Sequence, residues 1–167
     1  MNEVLIVDNF LTNEECDGLI DLYKRTPANP KDTEGVWYGR GRWIEYSEYT
    51  DEQFQKVYTE RQEVCRKHFG DNLQLVDLHM MVWNEGDKML PHSDYGAFNE
   101  YPYREYASLI YLNDDYEGGS LIIPELKFKN KPKKGQLVAF QGGKYYHGVT
   151  EITKGTRYTC LCWFKIA

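Results

Sequence analysis

From residue 73 onward the chain is a succession of short apolar runs rich in β-branched and aromatic residues, each cut off by turn residues, and helical periodicity does not return. The runs span 73–83, 106–112, 120–123, 136–140, 146–152 and 156–164, with turn signals at 84–87, 113–119, 134–135 and 154–155. Segments of this kind must pair with one another, because nothing else can take up their backbone donors and acceptors. Many short antiparallel strands protect their edges by curling into barrels or jelly rolls.

The first 70 residues read differently. An apolar alternation at 4–7 precedes a helix whose start is a capping box, with Thr12 as N-cap, Glu15 as its partner and Leu11 placed to staple onto Cys16. Cys16, Leu19, Ile20 and Tyr23 form its apolar stripe. A loop carrying Pro27, Pro30 and Gly35 leads to an aromatic and basic stretch, Trp37, Tyr38, Arg40, Arg42 and Trp43. A second helix is expected from Thr50, with Gln53 as box partner, burying Phe54, Val57, Tyr58, Val64 and Cys65 and stopping at Gly70. Helices followed by strands, with no repeat or linker, predict one α+β domain over residues 1–167, a barrel or jelly roll with N-terminal flanking helices.

A net charge of -6 repels phosphate backbones and argues against nucleic-acid partners. Lys127, Lys129, Lys131, Lys133 and Lys134 run against that balance; beside a strand they read as charges that blunt a sheet edge rather than as a binding patch. The opening residues carry no signal-peptide pattern, no apolar stretch reaches membrane length, and the four cysteines lack the spacing of a zinc site. A cytoplasmic protein with structural thiols and no membrane partner is therefore expected. The 14 tyrosines either line a cavity or build an aromatic β core.

His92-Ser93-Asp94 follows Pro91, just past the turn at 84–87. In extended backbone, residues two apart share a face, so His92 and Asp94 can grip one ion. His147, in a later strand, offers a second imidazole. Two imidazoles and one carboxylate on one face of an octahedron leave three positions open, the ligand set of non-heme Fe(II) oxygenases. Zinc hydrolases use the same residue types, so the ligands alone leave the metal open. Arg157, ten residues after His147, would return on an antiparallel strand to the wall near the ion, where its planar fork takes a carboxylate in two parallel hydrogen bonds. Tyr111 could add a phenolic hydroxyl to the same carboxylate, and a zinc hydrolase has no need of such a clamp. His68 and His79 read as structural, and Asp114, Asp115 and Glu117 as turn formers. The segments 95–106 and 37–43 read as lids over the site or as loops packed on the barrel.

In their order, Trp83-Asn84-Glu85-Gly86-Asp87, Pro91-His92-Ser93-Asp94, Ser108 through Gly119, Pro132 through Phe140, His147-Gly148-Val149 and Gly155-Thr156-Arg157-Tyr158 resemble a known catalytic core. It is that of the 2-oxoglutarate and Fe(II)-dependent dioxygenases, in the prolyl 4-hydroxylase branch. Val7-Asp8-Asn9-Phe10-Leu11, leading into Glu15-Cys16, resembles the N-terminus of the same family. The resemblance implies a double-stranded β-helix (jelly roll), Fe(II) held by His92, Asp94 and His147, and 2-oxoglutarate held at its distal carboxylate by Arg157 and Tyr111. It also implies dioxygen as co-substrate, ascorbate as reductant, and hydroxylation of an unactivated C–H bond with release of succinate and carbon dioxide. The branch points to a prolyl residue in a peptide or protein as substrate. A free amino acid or other small molecule is the alternative, and a metal-binding jelly roll without turnover is the non-enzymatic one. Two departures matter for the cavity, since Trp83 and Met89 stand where many relatives carry tyrosines.

Overall fold

The structure, a computed structural model, describes residues 2–28, 40–43, 56–70, 72–95 and 103–167. The N-terminal part contributes β1 (Val4–Val7), α1 (Asn13–Arg25), β2 (Gly41–Trp43) and α2 (Arg61–Phe69). Then come β3 (Leu73–Trp83), β4 (Met89–His92), β5 (Tyr106–Tyr111), β6 (Glu117–Gly118), β7 (Leu121–Ile123) and β8 (Phe128–Lys129). The chain closes with β9 (Leu137–Phe140), β10 (His147–Val149), β11 (Ile152–Lys154) and β12 (Arg157–Ile166). Among the described residues the strands form a six-stranded antiparallel sheet in the order β1-β9-β5-β12-β3-β2, a four-stranded sheet β4-β10-β7-β8, and the pair β11-β6. This is the expected jelly roll with helices flanking its larger sheet.

Two layers of core explain why β5 and β9 are buried at every position. Tyr106 and Ile110 of β5 pack on one face with Cys160, Cys162 and Phe164 and with Cys16, Leu19 and Cys65 of the helices. Ala107, Leu109 and Tyr111 pack on the other, between the sheets, with Leu121, Phe140 and Trp163. A strand covered on both faces has no place for polar alternation. The same alternation along β12 sends Cys160 and Cys162 toward the helices and leaves Arg157 and Trp163 facing the cavity on the opposite side.

Helix α1 starts as its sequence dictates: the Thr12 hydroxyl accepts from the Glu15 amide at 3.1 Å, and the Glu15 carboxylate accepts from the Thr12 amide at 2.8 Å. Cys16, Leu19 and Tyr23 are buried and Ile20 half-buried. The second helix differs. A π-helical turn at Lys56–Glu60 precedes α2, which ends at Gly70 with a left-handed φ of 77°. The expected cap at Thr50 and Gln53 lies outside the described residues, as do Phe54, Pro30, Gly35, Trp37 and Tyr38.

Arg61 is the surprise of this layer. It is 0% exposed, and its Nη2 lies 3.2 Å from Cys160 Sγ and 3.4 Å from the Cys160 carbonyl oxygen, with no carboxylate in salt-bridge reach among the described residues. All four cysteines are free and buried. Burial pushes the Cys162 thiol up to about 11 against the pull of Arg61, so it stays protonated at neutral pH.

Run 73–83 is one strand as expected, whereas run 146–152 divides into β10 and β11 at Thr150–Glu151. Strands β6 and β8 are too short for periodicity to reveal, and Pro91 speaks against a strand at β4. Strand β8 is an edge of its sheet and its Lys129 is exposed, while Lys133 and Lys134 pair with Asp8 and Asp17 at 3.0 and 2.6 Å. No helix among the described residues is long and apolar enough to cross a membrane.

Candidate active site

Antiparallel pairing of β4 with β10 sets His92 directly opposite His147, with ring centroids 4.6 Å apart. Asp94 is not in the strand. It sits in the turn after β4, where its amide donates to the Gly142 carbonyl at 2.9 Å, and that turn swings the carboxylate back between the two rings. Asp94 Oδ1 lies 3.5 Å from His92 Nε2 and 3.5 Å from His147 Nε2. One ligand atom from each of the three residues falls within 4.8 Å of the others. The expected convergence is therefore present, reached through a turn rather than through extended backbone.

The surroundings orient each donor. His92 Nδ1–H donates to the Leu90 carbonyl at 3.1 Å and His147 Nδ1–H to the Tyr145 carbonyl at 2.9 Å. Because a carbonyl only accepts, both Nδ1 atoms carry a proton and both Nε2 atoms face the site, where their lone pairs are available to an ion once any second proton has left. The Phe140 ring stands edge-on against His147 at 4.7 Å. Asp94 Oδ2 accepts from the Trp163 indole N–H at 3.1 Å, which leaves Oδ1 for an ion. A Cβ on Gly142 would stand 2.2 Å from Asp94 Oδ2, so only glycine admits the carboxylate there. The donor set and its orientation fit a divalent ion that accepts nitrogen and oxygen ligands and keeps open positions.

Trp163 had no signal in the sequence beyond being an aromatic residue in a strand. It is held by the Arg104 guanidinium 3.9 Å above its ring and by His79 at 4.8 Å. Arg104 in turn pairs with Asp77 at 3.1 Å. Trp163→Phe keeps the ring and removes the N–H, freeing the carboxylate to rotate; Fe(II) affinity is expected to fall about tenfold, measured by competition with a chromogenic chelator.

Burial would favour protonation of Asp94, yet the hydrogen bonds and charge of His147 and His92 outweigh it and hold the carboxyl well below its usual range. Burial likewise disfavours the His92 imidazolium, but its bonds to Asp94 and the Leu90 carbonyl prevail and raise its pKa above 6.5. In the metal-free protein the His92 contribution to stability is complete below pH 6.5 and is lost as pH rises through the higher folded value. A metal needs the neutral ring, so the ion competes with a proton that leaves only above pH 6.5. Fe(II) affinity should accordingly still be climbing as pH rises past 6.5, and an affinity already level by pH 6.5 in anaerobic titrations would contradict this account.

A cavity of about 250 Å³ opens beside these three residues, with Trp83, Met89 and Arg157 in its wall together with His79, Arg104 and Trp163. His79, read from sequence as purely structural, thus borders the site. Burial and the charge of Arg104 depress its pKa to about 3, so it stays neutral. Arg157 is 3% exposed, with its guanidinium carbon 5.0 Å from the Trp83 ring centre and 5.4 Å from that of Tyr111. Tyr111 is completely buried behind it and does not itself line the cavity. Its hydroxyl, Arg157 Nε and the hydroxyl of Thr159 all lack hydrogen-bond partners, and Thr159 is the cross-strand neighbour of Tyr111. A buried cation with unpartnered hydroxyls around it fits a carboxylate ligand, which supplies charge and about four lone-pair sites.

Of the segment proposed as a lid, Tyr95 is exposed and residues 96–102 lie outside the described ones. Residues 41–43 form β2 on the edge of β3, and Arg40 is ion-paired with Asp87, so this part of the aromatic stretch is tied to the sheet. His68 bonds the Asn2 carbonyl at 2.8 Å, away from the site.

Residues 76–165 match the family described as the 2OG-Fe(II) oxygenase superfamily. Among curated proteins, prolyl 3-hydroxylase 2 of Homo sapiens is 42% identical over 72 residues, which cover 40% of this chain and 10% of that protein. Prolyl 3-hydroxylase 3 of Homo sapiens is 41% identical over 111 residues, or 60% of this chain and 15% of that protein. The chain thus spans only 10% to 15% of the length of these curated relatives. The fold is shared with the viral collagen prolyl hydroxylase of Paramecium Bursaria Chlorella virus-1 in its 2OG complex (TM-score 0.78, 21% identity, 99% of this chain and 97% of that one). A Pseudomonas putida prolyl-4-hydroxylase aligns with a TM-score of 0.75 at 18% identity, over 99% of this chain and 93% of its own.

Proposed function

The chain belongs to the 2OG-Fe(II) oxygenase superfamily, and from that premise we propose that it hydroxylates a prolyl residue in a peptide or protein, converting 2-oxoglutarate and dioxygen to succinate and carbon dioxide. The observation that carries this reading is the meeting of His92, Asp94 and His147 within 4.8 Å at the wall of a cavity that also holds a buried Arg157. Bound there, Fe(II) would supply the oxygen activation and redox chemistry that amino-acid side chains lack.

The chain's own residues do the rest. His92 and His147 present Nε2, Asp94 presents Oδ1, and Trp163 keeps the second carboxylate oxygen turned away. Arg157, with Tyr111 and Thr159, takes the distal carboxylate of 2-oxoglutarate and so orients its 2-oxo acid end toward the ion. Trp83, Met89 and Leu121 exclude water from the space between. Leu90 is 74% exposed, and Tyr95 and Tyr146 are exposed as well; each is one or two residues from a candidate ligand, so they offer an apolar rim to a peptide. A free amino acid would leave that rim unused. The names of the curated relatives and of the structural neighbours support the prolyl substrate, and divide between the 3 and 4 positions of the ring. Ascorbate serves as reductant, and four buried free thiols are in keeping with the cytoplasm.

The test is a proline-containing peptide library incubated with Fe(II), 2-oxoglutarate, ascorbate and air, with free proline as a parallel substrate. One oxygen added to a prolyl residue for each succinate formed is expected, and fragmentation assigns the ring position. Succinate stimulated by free proline and not by any peptide would replace the peptide reading with the small-molecule one.

A further inference from the structure

The hairpin between β5 and β7 carries the turn-forming acidic residues Asp114, Asp115 and Glu117. Its middle residue, Tyr116, packs beside Arg157, which is on the wall of the cavity. The hydroxyl of Tyr116 is buried and has no hydrogen-bond partner, and it lies beside the Arg157 guanidinium. Burial raises its pKa and Arg157 acts in the opposite direction, so the phenol keeps its proton and remains a donor.

Two glycines press the ring into place. A Cβ on Gly119, where φ is +65°, would stand 2.9 Å from Tyr116 Cε2 and 3.1 Å from Arg157 Cδ. A Cβ on Gly155 would stand 3.2 Å from Tyr116 Cβ. Four buried polar groups without partners therefore gather around one cation: the hydroxyls of Tyr111, Tyr116 and Thr159, and Arg157 Nε itself. A water molecule accepts about two hydrogen bonds and brings no charge, whereas a carboxylate accepts about four and neutralises the guanidinium.

We propose that the Tyr116 hydroxyl donates a hydrogen bond to the distal carboxylate of 2-oxoglutarate and so acts with Arg157 to position it. The proposal rests on the co-substrate reading given above and adds a contact from the hairpin that Tyr111 and Arg157 do not supply. The Tyr116 oxygen stays beside the guanidinium while its proton goes to the ligand, so the side chain lies between the clamp and what it holds.

The experiment titrates the Fe(II) protein, without oxygen, with 2-oxoglutarate and separately with 2-oxobutanoate, which keeps the 2-oxo acid and lacks the distal carboxylate. The visible charge-transfer band of the chelate reports binding. Tyr116→Phe should raise the Kd for 2-oxoglutarate about tenfold while leaving the Kd values for 2-oxobutanoate and for Fe(II) within about twofold of wild type. Unchanged 2-oxoglutarate affinity would overturn the proposal, and so would equal weakening of both acids, which marks a merely structural role. Wild-type protein that forms no band with 2-oxoglutarate would instead bring down the co-substrate reading itself. If Tyr116→Phe does not fold, a crystal of the wild type with Mn(II) and 2-oxoglutarate decides: Tyr116 Oη must lie about 2.5–3.0 Å from a distal carboxylate oxygen, and a separation beyond about 4 Å overturns the assignment.

Discussion

Asp94→Ala is expected to lower Fe(II) affinity by more than about a hundredfold and to abolish peptide-dependent succinate release. The carboxylate is the one charged donor of the three, and its Oδ1 stands 3.5 Å from both imidazole Nε2 atoms, so no neighbouring group can take its place. Its removal also leaves the Trp163 N–H without its acceptor and lets the His92 pKa fall, since the hydrogen bond and charge that raise it are gone. Two readouts follow: chelator competition for the metal, and succinate formation with and without peptide. Retention of wild-type Fe(II) affinity by the variant would remove Asp94 from the metal site.

Arg157→Met is expected to raise the Kd for 2-oxoglutarate by at least about a hundredfold, because two charge-assisted hydrogen bonds and a neutralised buried charge are lost together. Fe(II) binding should not change. The metal-free, ligand-free variant should be no less stable than wild type in thermal unfolding. Arg157 is 3% exposed and has no carboxylate in salt-bridge reach among the described residues, so the empty site holds an uncompensated cation whose replacement by an apolar side chain relieves strain rather than creating it. Arg157→Lys, which keeps the charge and loses the fork, should fall between the two, about tenfold weaker than wild type. A large fall in the melting temperature of Arg157→Met would instead identify the guanidinium as a structural tie.

The parts legible in advance share one property, that short-range patterns determine them. The Thr12 and Glu15 capping box names its helix start because both partners lie within one turn. The 11-residue strand β3 is long enough for its burial to show. The candidate ligands His92, Asp94 and His147 were readable as residue types in an order; the pairing of β4 with β10 brings the two histidines together, and the turn after β4 adds Asp94. What the sequence could not convey depends on contacts across the fold. Trp163 reaches Asp94 from 69 residues away, and Tyr116 meets Arg157 because Gly119 and Gly155 leave room for its ring. Arg61 follows no helical apolar stripe, since a buried guanidinium contradicts the pattern that such stripes express. His79 looked structural because a histidine in a strand more often is; only the proximity of Trp163 and Arg104 reveals it as part of the cavity wall.

The most direct test is the anomalous scattering of iron in crystals grown or soaked with Fe(II) under anaerobic conditions. A single peak is expected within about 2.0–2.3 Å of His92 Nε2, His147 Nε2 and Asp94 Oδ1, on the side of the cavity that leads to Arg157. An iron peak bound elsewhere, or these three side chains clear in density with no iron between them at saturating Fe(II), would contradict the account.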